Sequence, residues 1–291
     1  MSESTVLAEQ YLPDFVDLEF ARRLELAETI LPDCFEALRR YGPDDPIASI
    51  TVAGGIAFCG GPGYPVNQIV GMGLYGEVTP QHLDQVEEFF RSRGVPSTVV
   101  LSPLADESLR GLLGERGYGI AEFNSVLIRR IGRDEPLLDQ PGMSVEPVNP
   151  ETIGEWMRVI AKGFEQDIVV AESVFGGFAA LPGALSFLAR IEDKVVGGCG
   201  GRVIPEARIA ALFGTATLPE YRGRGVQSAL IARRVHEAAR AGSEYAVVST
   251  HPGSGSQRNM ERRGFRVAYT KVVMSRTWPE LAANNDNQHG H

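Results

Sequence analysis

The sequence has few of the features that mark secreted, metal-binding or membrane proteins. It holds three cysteines in 291 residues, Cys34, Cys59 and Cys199, and their wide separation gives no metal-binding or redox spacing. An odd cysteine count suits a reducing compartment, so we expect small buried side chains. No apolar run approaches the length of a membrane span, and the acidic N-terminus shows no basic-then-apolar signal. These absences predict a cytoplasmic protein.

The chain also lacks an excess of basic residues. Its formal net charge is −9, whereas a nucleic-acid-binding surface needs a positive field. We therefore expect neither a nucleic-acid nor a membrane partner. A hydrophobic content of 43% is typical of globular domains, and the length allows one large domain or two ordinary ones. The polar segment 279–291 is predicted to be a disordered tail.

The most informative segment runs from Ala211 to Ile231. It has the pattern of an apolar strand, a turn rich in glycine and arginine, and the start of an amphipathic helix. Glycines at 223 and 225 allow the backbone to approach a ligand closely, and a helix N-terminus offers free N–H groups. The turn matches neither the Walker A loop nor the dinucleotide fingerprint. It predicts a phosphate or pyrophosphate site, with an ordinary tight turn as the alternative.

The turn Arg222-Gly-Arg-Gly225-Val-Gln227 resembles the acyl-CoA loop [QR]-x-x-G-x-[GA] of the GCN5-related N-acetyltransferases, the GNAT superfamily. The preceding Leu218-Pro-Glu-Tyr221 resembles the lead-in to that loop. The departure is Gln227, where the family has Gly or Ala. The resemblance implies acetyl-CoA as cosubstrate, no metal, and a set of cofactor-binding residues: Ala216, Thr217, Leu218, Arg222, Gly223, Arg224, Gly225, Val226 and Gln227.

The two halves of the chain repeat one pattern. A spacing of 147 residues relates Gly117 to Gly264 and Arg129 to Arg276, and it carries 98–102 onto 245–249. A stretch rich in Pro, Gly and Asp at 133–142 is predicted to be a linker. We therefore expect two tandem GNAT-like domains, at 1–135 and 143–278.

The first half lacks the glycine-arginine turn. There Thr79 is a predicted N-cap and Pro80 the first helical residue, so the chain passes directly into a helix. Without the turn this half has no evident pyrophosphate site. We expect 1–135 to be a degenerate, structural domain and 143–278 to carry the catalytic site.

The predicted fold class is α/β (an α+β mixed sheet), with a central mixed sheet flanked by helices in each domain. In the second half, a helix is expected after the strand Met143–Pro147, an antiparallel hairpin around Glu192, and a short helix before a final hairpin of two strands. The other predicted elements there are the strand Ile209–Thr217, the helix Val226–Ala241 and the strand Tyr245–Thr250.

The resemblance leaves the general acid open. The family often has a tyrosine where this chain has Met260, which cannot donate a proton. Either Tyr269 or water protonates the leaving thiolate, or no side-chain acid is needed.

The general base is also open, because the third strand carries no glutamate. His251 ends the central strand, and histidine is a common general base near neutral pH. The alternative is a turn residue before Pro252. Glu165 and Asp167, on the loop expected to cover the acceptor, are alternative candidates for binding an ammonium or relaying a proton.

A second cofactor segment is expected at 254–265. The resemblance implies that Ser256 and Asn259 bind pantetheine or phosphate oxygens and that Arg258 meets the nucleotide phosphate. A solvated polar helix start is the alternative.

These features favour an acetyl-CoA-dependent N-acetyltransferase acting on a small-molecule amine by direct attack in a ternary complex, as a monomer or homodimer. A non-catalytic acyl-CoA-binding or sensing protein and a two-domain scaffold are the other hypotheses.

Overall fold

The computed structural model describes residues 16–29, 47–64, 66–138, 140–165, 176–279 and 281. Cys34, Asp167 and nearly all of the predicted tail lie outside these residues. Cys59 and Cys199 are buried free thiols, as the composition predicts. Among the described residues no helix is long and apolar enough to cross a membrane.

Within its described residues the first half forms three α-helices and five strands. The helices are α1 (Leu18–Glu25), α2 (Pro80–Arg91) and α3 (Glu107–Glu115), and a 3₁₀ turn at Leu26–Glu28 follows α1 directly. The strands are β1 (Ala48–Val52), β2 (Gly55–Cys59), β3 (Gln68–Val70), β4 (Ser97–Leu101) and β5 (Gly119–Arg130).

The part of the second half that the structure describes also contains three α-helices, together with six strands. The helices are α4 (Ile153–Phe164), α5 (Val226–Arg240) and α6 (Gly255–Glu261). The strands are β6 (Met143–Pro147), β7 (Phe187–Ile191), β8 (Lys194–Ile204), β9 (Ile209–Thr217), β10 (Tyr245–Thr250) and β11 (Arg266–Arg276). The predicted ends of β6, β9 and β10 are confirmed, and the hairpin β7–β8 turns at Glu192 and Asp193, both with positive φ.

All eleven strands belong to one mixed sheet, in the order β1-β2-β3-β4-β11-β5-β10-β9-β8-β7-β6. The predicted mixed sheet is confirmed, but the final hairpin is wrong. Residues 266–276 form one long strand with irregularities near Ala268 and Val273, and its neighbours β4 and β5 both come from the first half.

The last strand of each half is exchanged. β5 pairs antiparallel with β10 of the second half, while β11 pairs antiparallel with β4 of the first half. β5 and β11 also pair with each other at the centre of the sheet. The two sequence halves therefore share one continuous sheet.

Helices cover both faces of the sheet in the second half. Ala210, Leu212 and Ala246 pack with α5, whereas Ala211 and Val247 pack in a cluster with α1 and the 3₁₀ turn. Because successive strand residues point to opposite faces, α5 and the 3₁₀ turn lie on opposite sides of the sheet. This arrangement places a segment of the first half over the strands that carry the predicted site.

Candidate functional site

The strands β9 and β10 separate partway along their length. They pair in parallel only at three residues each, from Ile209 to Ala211 and from Tyr245 to Val247. Beyond that point β9 continues to Thr217 and β10 to Thr250 without pairing each other. The separation opens a cleft in the middle of the sheet.

A bulge lies in β9 beside this cleft. Ala216 pairs with Gly198 and Phe213 with Gly200, so two residues of β9 stand opposite one residue of β8. Gly214, in the bulge, has a φ of 57°. A bulge interrupts the ladder of hydrogen bonds, and here the bulged residues lie on the lining of a cavity beside the cleft.

The cleft is part of a cavity of about 1100 Å³. This is slightly above the range of about 300–1,000 Å³ typical of small-molecule sites. Three buried side-chain oxygens on its lining have no hydrogen-bond partner among the described residues: Glu28 Oε1, Ser249 Oγ and Thr250 Oγ1. Buried oxygens without partners are costly, so a polar ligand is the expected occupant.

The helix α5 begins at the rim of the cavity with an open N-terminus. Its N-cap is Gly225, with a φ of 82°, and no side chain caps the helix in the described part of the chain. Gly223 has a φ of 77°. Free N–H groups at the positive end of the helix dipole therefore face the cavity, a geometry suited to a phosphate.

Most of the predicted cofactor-binding residues line this cavity. Those that do are Ala216, Thr217, Arg222, Gly223, Gly225, Val226, Gln227, Ser256 and Asn259. Leu218 and Arg224 are not on its lining: the Leu218 amide donates to the carbonyl of Val196, and the Arg224 guanidinium lies over the Tyr221 ring. Their roles stay predictions.

Gln227, the departure from the family pattern, is tied to a residue of α6. Its Oε1 accepts a hydrogen bond of 2.5 Å from Asn259 Nδ2. The longer side chain therefore links α5 to α6 across the cavity wall. On the same wall Arg262 lines the cavity and Arg258 does not, so Arg262 is the better placed cation for a nucleotide phosphate.

The candidate catalytic residues are not all brought together. His251 lines the cavity, and its Nδ1 lies 3.8 Å from the Glu122 carboxylate of β5. Glu165 is exposed at the end of α4 and is not on the lining. Asp167 is outside the described residues.

Tyr269 is buried away from the cavity lining. Its hydroxyl donates to Glu25 Oε1 at 2.8 Å, and burial raises its pKa far above the ordinary value. A hydroxyl that is hydrogen-bonded to a carboxylate and hard to deprotonate is poorly suited to be a general acid here. Met260, at the family's tyrosine position, is buried on the lining.

Sequence reasoning placed the site in the second half, whereas the cavity is lined by both halves. The first half contributes Ala27, Glu28, Thr29, Val66, Gln68 and Asn124. The sequence repeat alone does not predict that the first half lines the cavity, because it does not reveal the exchange of strands between the halves. Among the described residues, no group of three or more His, Cys, Asp or Glu side chains is placed to hold a metal ion.

Comparisons with known proteins show the fold and a family-model match over part of the chain. Residues 153–265 match the family model described as Acetyltransferase (GNAT) family. A GCN5-related N-acetyltransferase from Kribbella flavida is similar over 90% of this chain and 98% of its own, with a TM-score of 0.65 and 17% identity.

A tandem GNAT protein from the clavulanic acid biosynthesis pathway is similar over 91% of this chain and 95% of its own, with a TM-score of 0.57 and 14% identity. A GCN5-related N-acetyltransferase from Sphaerobacter thermophilus is similar over 76% of this chain and 71% of its own, with a TM-score of 0.56 and 18% identity. The curated protein sequences contain no match. The chain thus has the GNAT fold, and its residues 153–265 match the GNAT acetyltransferase family model.

Proposed function

We propose that the protein is an acetyl-CoA-dependent N-acetyltransferase that acetylates a small-molecule amine in a ternary complex. One observation carries the proposal: the cleft between β9 and β10 opens beside the uncapped N-terminus of α5. The match of residues 153–265 to the GNAT family model supports acetyl transfer in general, and the cleft supports a donor site at this place.

The chain binds the donor at two places. Backbone N–H groups of the Gly223–Gln227 segment and the Arg222 side chain hold the diphosphate, with Ser256, Asn259 and Arg262 on the facing wall. Backbone groups of Ala216 and Thr217 hold the pantetheine arm beside the bulge. The bound acetyl-CoA supplies an activated acetyl thioester.

The next step is the formation of an amide from the bound thioester and the acceptor amine. The amine nitrogen bonds to the thioester carbon, the carbon–sulfur bond breaks, and the amine loses a proton. His251 is the proposed base, since it lines the cavity and its Nδ1 lies 3.8 Å from the Glu122 carboxylate. Water protonates the departing thiolate.

A non-catalytic acyl-CoA-binding protein is the second candidate. The observation that favours it is the buried thioether of Met260 at the position where the family often has an acid. Both candidates need the same donor site, so only turnover separates them. The cytoplasmic location and the monomeric or dimeric state remain predictions, and the charge of −9 supports a partner other than nucleic acid.

The test measures donor binding and turnover separately. We expect acetyl-CoA to raise the melting temperature of the protein, and release of CoA thiol to depend on an added amine from a panel of small amines, polyamines and aminoglycosides. A melting temperature unchanged at millimolar acetyl-CoA would overturn both candidates. Binding without amine-dependent thiol release would favour the sensing protein.

A further inference from the structure

Glu28 reaches the cavity from the first half of the chain. It ends the 3₁₀ turn Leu26–Glu28, which packs on β9 and β10 at the point where they separate. The turn lies on the face of the sheet opposite α5. A donor held at the N-terminus of α5 therefore leaves the Glu28 side of the cleft to a second ligand.

Glu28 belongs to a buried ionic cluster with Glu25 and Lys271. The Lys271 ammonium contacts Glu25 Oε2 at 3.1 Å and also contacts Glu28 Oε2. Tyr269 donates to the remaining Glu25 oxygen. Burial opposes the charged form of Lys271, but Glu28 and Glu25 outweigh it and raise its pKa. Lys271 stays protonated, and the cluster holds two carboxyl groups against one cation.

One oxygen of this cluster has no partner. Glu28 Oε1 is buried, and it accepts no hydrogen bond within the described residues. Glu25 uses both of its oxygens and does not line the cavity, whereas Glu28 does. A carboxylate oxygen accepts and cannot donate, so its missing partner is a hydrogen-bond donor.

We propose that Glu28 Oε1 binds an ammonium group of the acceptor, so that the substrate class is cationic amines and the acceptor subsite belongs to the first half of the chain. The inference rests on the proposed function, because the ligand is its acceptor. An ammonium group fits the site because it supplies the missing N–H to a buried carboxylate oxygen.

The test titrates protein saturated with CoA, so that no reaction occurs. The probes are n-butylamine, 1,4-diaminobutane and spermidine, with n-butanol and 1,4-butanediol as neutral matches at equal ionic strength. We expect at least one amine, and neither alcohol, to raise the melting temperature of the wild type. Glu28→Gln abolishes that shift and leaves the shift caused by CoA unchanged.

Glu25→Gln is the matched control. It removes a carboxylate from the same cluster, where Lys271 keeps one acidic partner, but it does not touch the cavity. It retains the amine shift. If Glu28→Gln does not fold, Glu28→Asp replaces it in the test. Aspartate keeps the charge but is shorter by one methylene, so we expect amine binding to weaken about tenfold.

Two results would overturn the inference: an undiminished amine shift in the Glu28 variants, or no shift in the wild type with any amine. A wild type that binds acetyl-CoA but no amine overturns this inference alone. A wild type that does not bind acetyl-CoA overturns the proposed function, and amine titration of the CoA-free protein still decides the role of Glu28.

Discussion

Arg234 is a buried guanidinium that braces the bulge in β9. It donates to the carbonyl of Gly200 at 2.8 Å, to the carbonyl of Phe213 at 3.3 Å and to Thr215 Oγ1 at 2.8 Å. Arg234 is 1% exposed, and burial lowers the pKa of its guanidinium. The bulge interrupts the hydrogen-bonded pairing of β8 with β9. Arg234 supplies donors to the carbonyl oxygens of Gly200 and Phe213 beside it.

Replacing Arg234 by methionine should therefore loosen the bulge. We expect Arg234→Met to lower the free energy of unfolding by about 2–4 kcal/mol, because buried carbonyl oxygens lose their donors. Acetyl-CoA affinity should fall as well. Urea unfolding and titration with acetyl-CoA measure the two effects.

The neighbouring Arg233 is the control for this change. It pairs with Glu237 on the same helix, with both side chains about a quarter exposed. Arg233 also donates to the Val145 carbonyl at 3.0 Å. Because these groups are partly exposed, Arg233→Met should cost about 1 kcal/mol, less than Arg234→Met. Equal losses in the two variants would contradict the assignment to Arg234.

At the residue scale the sequence located the donor side of the site better than the acceptor side. The glycine-arginine turn is a local pattern, and the structure puts most of it on the cavity. The sequence around Glu28 does not distinguish it from other acidic residues at the end of an amphipathic helix. Its importance comes from contacts with Lys271, far away in the sequence, which no short pattern contains.

Two helices at corresponding places in the repeat begin differently. The helix α2 has Thr79 as N-cap, and its side chain accepts from the His82 amide while the His82 ring accepts from the Thr79 amide. The helix α5 begins at Gly225 without a side-chain cap. The first helix has a side-chain cap for its N-terminal amides, whereas the second has none among the described residues.

A substitution at each N-cap should separate stability from binding. We expect Gly225→Ala to weaken acetyl-CoA binding, because a left-handed residue with a Cβ costs about 1–2 kcal/mol and shifts the loop amides. A Cβ at Gly225 would also lie 2.7 Å from the flexible Gln140 amide group, which must move.

Thr79→Ala is the matched change in the other half. It should cost about 1 kcal/mol of stability and leave acetyl-CoA affinity unchanged. Calorimetric titration and thermal melts distinguish the two variants. Normal acetyl-CoA affinity in Gly225→Ala would argue against phosphate binding at α5.

At the element scale, the ends of several strands and the start of α2 were predictable because alternation and capping residues are local signals. The final hairpin was not. The pattern of 266–276 marks it as extended, but its partners are set by long-range pairing with the first half.

The exchanged strands make the two halves dependent on each other at the scale of the molecule. Without the second half, β4 loses β11 as a neighbour and β5 loses both β10 and β11. Each isolated half would expose long unpaired strand edges, which promote aggregation. The repeat in the sequence predicted two similar halves, but a repeat cannot reveal which copy of a strand pairs with which.

Separate expression of the halves tests this dependence. We expect the fragments 1–138 and 139–291 to aggregate when produced alone and to co-purify when produced together. A protease site inserted near Leu138 provides the control, since cleavage after folding should leave the halves associated. A cooperative thermal melt from either fragment alone as a monomer would contradict the expectation.

The pairing of β5 with β11 has a consequence for how the chain evolves. The spacing that relates the halves also relates Asn124 to Lys271, and these two residues stand opposite each other at the centre of the sheet. In an assembly of identical chains both positions would hold the same residue, and two lysines would repel each other there. Because both copies lie in one polypeptide, a single lysine can occupy the symmetry centre, and each copy can mutate without altering its twin.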